Sequence, residues 1–327
     1  MASRPTLAKV ALTAGVSKTT ASYVLNGQKK MSAETTRRVK EAARRLGYRL
    51  DASASGLSRG RTQVVGVLTG KTVTELVTGS NSLFWLRLND SFVQRCSEEG
   101  LVVAFAGEDR AQALIDSGVD TLIVLGSHGL EAFEGLRVPF GLPIISVDPI
   151  PDHDNVQLSY DNDAIAALVA GHFAEQGASH LAWVSAAGSE AVFAILVAAL
   201  TNWATDNGMD FSCHVYDGLA DVQASIHEAL DAGADGIFAM CGTPKRITEA
   251  ISDRGLSIPD DILLVMQSEG AIEESMTPQL SNFSYLGTEA GITIAEMCVD
   301  VVKNGTHPTQ LDLNFEVVAR ESSLRTD

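Results

Sequence analysis

Two hydrophobic periodicities divide this chain. Up to Tyr48 the apolar positions recur every three or four residues; from Val64 onward they gather into short continuous runs. In TLAKVALTAGVSKTTASYVLNG, Leu7, Val10 and Ala11 share one helical face, and Ala21, Val24 and Leu25 share another. Thr6 and Ser17 stand where their hydroxyls can cap the two helices. Between them, Ala14-Gly15-Val16 predicts a tight turn with Gly15 at positive φ. Ser32 opens a third helix, with Val39, Ala42, Ala43 and Leu46 inward and Arg37, Arg38, Lys40, Arg44 and Arg45 outward. Two short helices around a three-residue turn, braced by a third, make a helix-turn-helix over residues 1–49.

The runs VVGVL, LVVAF, TLIVLG, PIISVD, HLAWVS, GIFAM and ILLVM then alternate with helical stretches and loops. Continuous apolar strands separated by helices predict parallel sheets covered on both faces, here an α/β body of two Rossmann-like lobes over residues 63–327. Such lobes bind ligands at the carboxyl ends of their strands, in the cleft between them. Residues 50–62 remain as a linker.

Composition fits globular domains: 327 residues, 45% hydrophobic and 20% charged. No apolar run approaches the ~18 residues of a membrane span, and no secretory signal is visible, so a cytoplasmic location without membrane contact is expected. Cys96, Cys213, Cys241 and Cys298 form no CxxC pair and read as reduced, buried thiols. A net charge of −17 argues against a nucleic-acid binder until its distribution is counted. Residues 1–62 hold 13 Lys and Arg against 3 acidic residues, a net +10, which leaves −27 on the remainder. A compact basic segment ahead of an acidic carrier is the footprint of a polyanion-binding module.

The second helix gives that module its chemistry. Opposite its apolar stripe stand Lys18, Thr19, Thr20 and Ser22, donors and acceptors near the end of a helix that can enter a major groove. The elements TLAKVA, AGVS, T-A-S-Y-V-L-N-G, M-S-x-x-T and LGY together resemble the headpiece of the lactose-repressor/galactose-repressor (LacI/GalR) family. The resemblance implies that Lys18 and Thr19 read bases, and that Thr6, Ser17, Thr20, Ser22, Asn26 and Thr35, with Lys30 of the basic loop, hold phosphates. Tyr23 stands at a base-reading position where the family usually has Arg. It cannot make the two-pronged contact to guanine that is worth about 1–3 kcal/mol, so the half-site is expected to differ at that base.

The resemblance extends through LDASASGLSRGRT, where the family has a hinge helix that orders on DNA. Ala54 and Leu57 match it, and Leu57 of each subunit would wedge into the minor groove. Gly56 costs about 1 kcal/mol of helix propensity, so a weaker, DNA-dependent hinge is expected. SYDNDAIAALVAGHFAEQGASHLAWVS, DRGLSIPDDILLV and VVARESS are similar to the family's periplasmic-binding-protein-like body. That implies an N-lobe of about 63–160 plus 287–312 and a C-lobe of about 161–286 plus 313–327. It also implies a homodimer on a palindromic operator, a repressor, with an effector cleft near Thr69, Phe84, Asp148, Val192, Gly242, Ser268 and Glu269. Here the chain departs from its relatives. Val192 replaces an Arg, Cys241-Gly242 an Asn-Asp pair and Ser268-Glu269 an Asp-Asp pair, and these are the groups that hold sugar hydroxyls. Three readings stay open: a less polar or otherwise unusual effector, regulation without a small molecule, or a conventional sugar.

Other constellations fall short. GVLTGKT (66–72) has P-loop letters at the wrong spacing. Asp148, Asp152, His153 and Asp154 crowd a loop without a second ligand cluster, so no metal is expected. Asp161 before an apolar helix reads as a cap. No nucleophile-elbow, zincin or paired-carboxylate signature appears, so neither an enzyme nor a cofactor is expected. A solute-binding protein would share the body but has no use for residues 1–62.

Overall fold

The computed structural model describes residues 6–25, 31–46, 48, 62–69, 82–125, 133–146, 150, 155–186, 190–216, 221–240, 243–270, 272–306 and 310–325. Asn26, Lys30, the hinge with Ala54 and Leu57, Asp148 and Gly242 lie outside the described residues. Three helices come first: α1 (Leu7–Ala14), α2 (Lys18–Leu25) and α3 (Ala33–Leu46). Their apolar stripes close on one small core in which Val10, Ala21, Leu25, Val39 and Ala43 are fully buried and Tyr48 nearly so. This is the helix-turn-helix that the 3.6-residue periodicity predicts.

The body contains two six-stranded sheets. The first joins β1 (Val64–Leu68), β2 (Val102–Ala106), β3 (Thr121–Val124), β4 (Ile144–Ser146), β5 (Asn155–Ser159) and β11 (Gln310–Asp312) in the order β11-β5-β4-β3-β1-β2. The second joins β6 (His180–Ala186), β7 (Asp210–Tyr216), β8 (Gly236–Ala239), β9 (Leu263–Gln267), β10 (Ser281–Ser284) and β12 (Glu316–Val318) in the order β12-β10-β9-β8-β6-β7. The pairings among β1 to β5 and among β6 to β10 are parallel; β12 runs antiparallel to β10. Each sheet therefore reverses its winding beside its first strand, the doubly wound order whose strand carboxyl ends face ligands. β3, β8 and β9 are mostly apolar because helices cover both faces, and every residue of the three is buried.

The chain forms two compact units. One takes in residues 1–71, 96–157 and 297–309, the other 72–95, 158–296 and 310–327. Helices of the body include α4 (Ser82–Glu98), α5 (Ala111–Asp116), α6 (Asn162–Glu175), α7 (Glu190–Asn207), α8 (Val222–Asp231), α9 (Pro244–Ser252) and α10 (Gly287–Val299). Asp161 caps α6 as expected, accepting from the Ala164 N–H at 2.9 Å. In the second unit α10 approaches α4 so closely that a Cβ at Gly287 would lie 2.8 Å from the Phe84 carbonyl oxygen.

Edge strands carry the surface signals. β2 ends the first sheet and exposes Val102 (58%) and Phe105 (44%). β7 ends the second and exposes Cys213, a correction to the buried thiol expected there; Cys96 and Cys298 are buried and in no disulfide. No described helix is long and apolar enough to cross a membrane.

Candidate nucleic-acid interface

Local hydrogen bonds build the head. Thr6 caps α1 by accepting from the Lys9 N–H at 3.3 Å. Ser17 caps α2 through the Thr20 N–H at 3.0 Å, and Ser32 caps α3 through the Thr35 N–H at 3.2 Å. Each cap satisfies a backbone donor that the first turn of a helix leaves unpaired. Gly15 ends α1 at φ 64°, ψ 40°, and its N–H and that of Val16 close the turn on Leu12 and Ala11.

Arg38 is exposed, as expected of the outward cations, and it also braces the turn. Its guanidinium reaches back from α3 to the turn: Nε donates to the Ala14 carbonyl at 3.1 Å, and Nη2 donates to the carbonyls of Ala14 and Gly15. A cation at the carboxyl end of α1 also meets the negative end of that helix dipole. Arg38 therefore sets the angle between α1 and α2, a contact across 24 residues that no local pattern announces. Gly15→Ala would force an L-residue into the left-handed region and set its Cβ 2.7 Å from Arg38 Nη2. The head of that variant is expected to lose about 1–2 kcal/mol of stability, read from the melting of head NMR signals in the full chain. An unchanged melt would contradict this role for the turn.

With Ala21, Val24 and Leu25 packed inward, α2 turns its other face outward. Lys18, Thr19 and Tyr23 are all exposed, so the three proposed base readers share the open side. Of the phosphate candidates, Thr6 and Ser17 are exposed at helix starts, while Thr20, Ser22 and Thr35 are half-buried. Thr20 Oγ1 lies 2.8 Å from Ser17 Oγ, and Thr35 Oγ1 accepts from Ser32 Oγ at 2.8 Å, so these hydroxyls belong to the caps. Arg37, Arg44 and Arg45 extend the exposed basic surface along α3.

The remaining candidates lie in the body. Thr69 follows β1, and its N–H donates to Ala106 at 3.3 Å. Ser268 follows β9 and is half-buried; Val192 lies in α7, its side chain outside the description. Phe84 stands edge-on to Trp85 and Tyr285, with centroids 5.2 and 6.1 Å away. Tyr160 extends this aromatic group, 4.7 Å from Tyr285, and donates its hydroxyl to the Tyr285 carbonyl at 3.2 Å. Burial, reinforced by Tyr285 and Glu269, pushes its phenol far above the ordinary tyrosine range.

Glu269 is turned into its own compact unit. One carboxylate oxygen accepts from Ser284 Oγ at 3.0 Å, and the other accepts from the Gly287 N–H at 3.1 Å. Arg87 lies 3.5 Å from that second oxygen and also donates to the Glu269 carbonyl at 3.0 Å. The carboxylate thus ties together the ends of β9 and β10, the start of α10 and one face of α4. Neither Arg87 nor Tyr285 has a sequence signal of its own, since each is defined by partners far along the chain.

Comparison with known proteins gives the same two parts. Residues 6–51 match the family model for bacterial regulatory proteins of the lacI family, and residues 170–323 match that of the periplasmic binding protein-like domain. The transcriptional repressor PurR of Aliivibrio fischeri is 24% identical over 98% of both chains. The catabolite control protein A of Staphylococcus xylosus is 23% identical over 85% of this chain and 86% of its own. Among solved structures, the lac repressor dimer bound to operator and an anti-inducer superimposes with a TM-score of 0.65 at 18% identity, covering 99% of this chain and 100% of its own. A CelR–cellobiose complex gives 0.64 at 22%, covering 98% and 100%.

Proposed function

Because the chain belongs to the LacI/GalR family of DNA-binding transcriptional regulators, we propose that it is a repressor that binds a palindromic operator as a homodimer. The observation that carries this reading is α2 itself. Its apolar stripe is locked into the head core, while Lys18 and Thr19 stand exposed beside a cap that fixes the helix start, on a segment with a net charge of +10. A helix so held presents base-reading groups without having to order them on binding. Phosphate contacts from Thr6, Ser17, Thr20, Ser22, Asn26, Lys30 and Thr35 supply affinity and a steep salt dependence; Lys18, Thr19 and Tyr23 supply choice. Leu57, with Ala54, serves the minor groove at the operator centre. Deleting residues 1–62 tests the assignment, because the truncated body should bind no duplex preferentially.

Edge strand β2 supports pairing of two chains through their bodies. Among the described residues the outer edge of β2 is unpaired, and with Val102 and Phe105 exposed and no charge on the strand to blunt it, it invites association. Phe105→Asp is expected to convert the dimer to a monomer in sedimentation at micromolar concentration and to weaken operator binding by at least tenfold. A dimer that persists unchanged places the interface elsewhere.

The effector is a molecule less polar than a hexose. Val192 and Gly242 bring no charge, and the Glu269 carboxylate is occupied by Ser284, Gly287 and Arg87, which leaves Phe84 and Ser268 as the candidate groups available among the described residues of that unit. Calorimetry against a panel of hexoses is expected to show no micromolar binding; one such hexose overturns this part.

A further inference from the structure

The body carries a seat for the head. In the first unit, Val138-Pro139-Phe140-Gly141-Leu142 leads into β4. Val138 and Leu142 pack into the apolar cluster of their own sheet, with Leu122, Val124 and Ile144. Phe140, between them, faces the other way and packs against the core of the three-helix head. Its backbone N–H donates to the carbonyl of Leu25, the last residue of α2. That carbonyl is one of the acceptors a helix leaves unpaired at its carboxyl end, so the body completes the reading helix.

The location follows from the sheet. β1, β3 and β4 are parallel, with Gly66 beside Leu122 and Leu122 beside Ile144. Their amino ends therefore share one edge. Thr62 and Gln63 enter β1 there, anchored on Gly118 and Asp120. The loop before β4 lies two strand spacings away, about 10 Å, at the edge from which the head is tethered. Tethering makes contact between seat and head an intramolecular event.

We propose that residues 138–142 are a docking seat that grips the carboxyl end of α2 and orients the head for DNA. Lys18, Thr19 and Tyr23 remain exposed while Leu25 and the head core engage Phe140, so the docked head is competent to read. Fixing its direction before binding removes part of the ordering cost of recognition and passes any shift of this lobe to the reading helix. The inference rests on the DNA-reading role proposed for α2.

The test uses the full chain without DNA. Nitrogen relaxation of head amides should show wild-type heads tumbling with the body. In Phe140→Ser, which keeps the N–H but loses the apolar anchor, the ratio of docked to free heads should fall about tenfold. Phe140→Leu should fall between. Wild-type heads that tumble freely, or a Phe140→Ser spectrum identical to wild type, overturn the seat. On a duplex selected by the wild-type protein from a random pool, Phe140→Ser should bind three- to tenfold more weakly with the same sequence preference. Tighter binding would mean that the seat holds the head away from DNA, against the proposal. Docked heads that prefer no duplex would sink the DNA reading and leave the seat standing; freely tumbling heads that still select DNA would do the reverse.

Discussion

Alanine at both Lys18 and Thr19 is expected to cost this protein at least about 30-fold in the ratio of specific to non-specific DNA binding, while binding to arbitrary duplex falls far less. The asymmetry follows from the division of labour on the head. Each well-formed contact to a base edge is worth about 1–3 kcal/mol of discrimination, so two lost contacts remove about 2 kcal/mol or more. Neither side chain is needed for folding. Both are exposed on α2, whose packing depends on Ala21, Val24 and Leu25. Lys18 is one of 13 basic residues in the segment, so the electrostatic part of binding persists and the slope of log K against log salt should drop by about one. Competition binding with the selected duplex and a scrambled one, across a salt series, separates the two effects. If specific and non-specific affinity fell together, α2 would be a phosphate-binding helix and the bases would be read elsewhere.

Removing the Glu269 carboxylate has the second large effect, and on stability instead of recognition. Its side chain is 2% exposed and serves three donors: Ser284 Oγ, the Gly287 N–H and the Arg87 guanidinium. Glu269→Ala leaves the first two buried and unpaired, at about 1–3 kcal/mol each. Arg87 is 39% exposed and recovers water, so its share is smaller. A loss of about 3 kcal/mol is expected, with Glu269→Gln losing about half because the amide keeps one acceptor. Urea unfolding followed by tryptophan fluorescence reports this directly, since Trp85, Trp183 and Trp203 all belong to the same unit as Glu269. A loss under about 0.5 kcal/mol would free this carboxylate for a ligand and reopen the effector reading.

The contrast between these two sites shows where the sequence speaks. The head is legible because its determinants are local. Ser17 caps the helix that starts one residue later, Gly15 turns within three residues, and the stripe of Ala21, Val24 and Leu25 spans four. Central strands such as ILLVM are legible for a different reason, because burial on both faces demands unbroken apolar runs. β10 hides for the opposite reason. Its residues Ser281, Asn282 and Ser284 are polar yet buried, and they are satisfied by Ser322, Arg320 and Glu269 from far along the chain. A strand made of hydrogen bonds to distant partners looks like a loop in one dimension. β7 hides too, since DFSCHVY alternates at a sheet edge and lacks the continuous run. Arg38 reads as one more surface cation until the fold brings Ala14 and Gly15 beneath it. The direction of the Glu269 carboxylate is fixed by Gly287 and Arg87, and no spacing rule connects those three residues.

One measurement bears on the whole account: selection of bound sequences by the purified full chain from a pool of random duplexes at near-physiological salt. Two copies of a head that reads through Lys18, Thr19 and Tyr23 should enrich a single sequence with two-fold symmetry, its half-sites set by the spacing of the heads. A pool that emerges as random as it entered would contradict it.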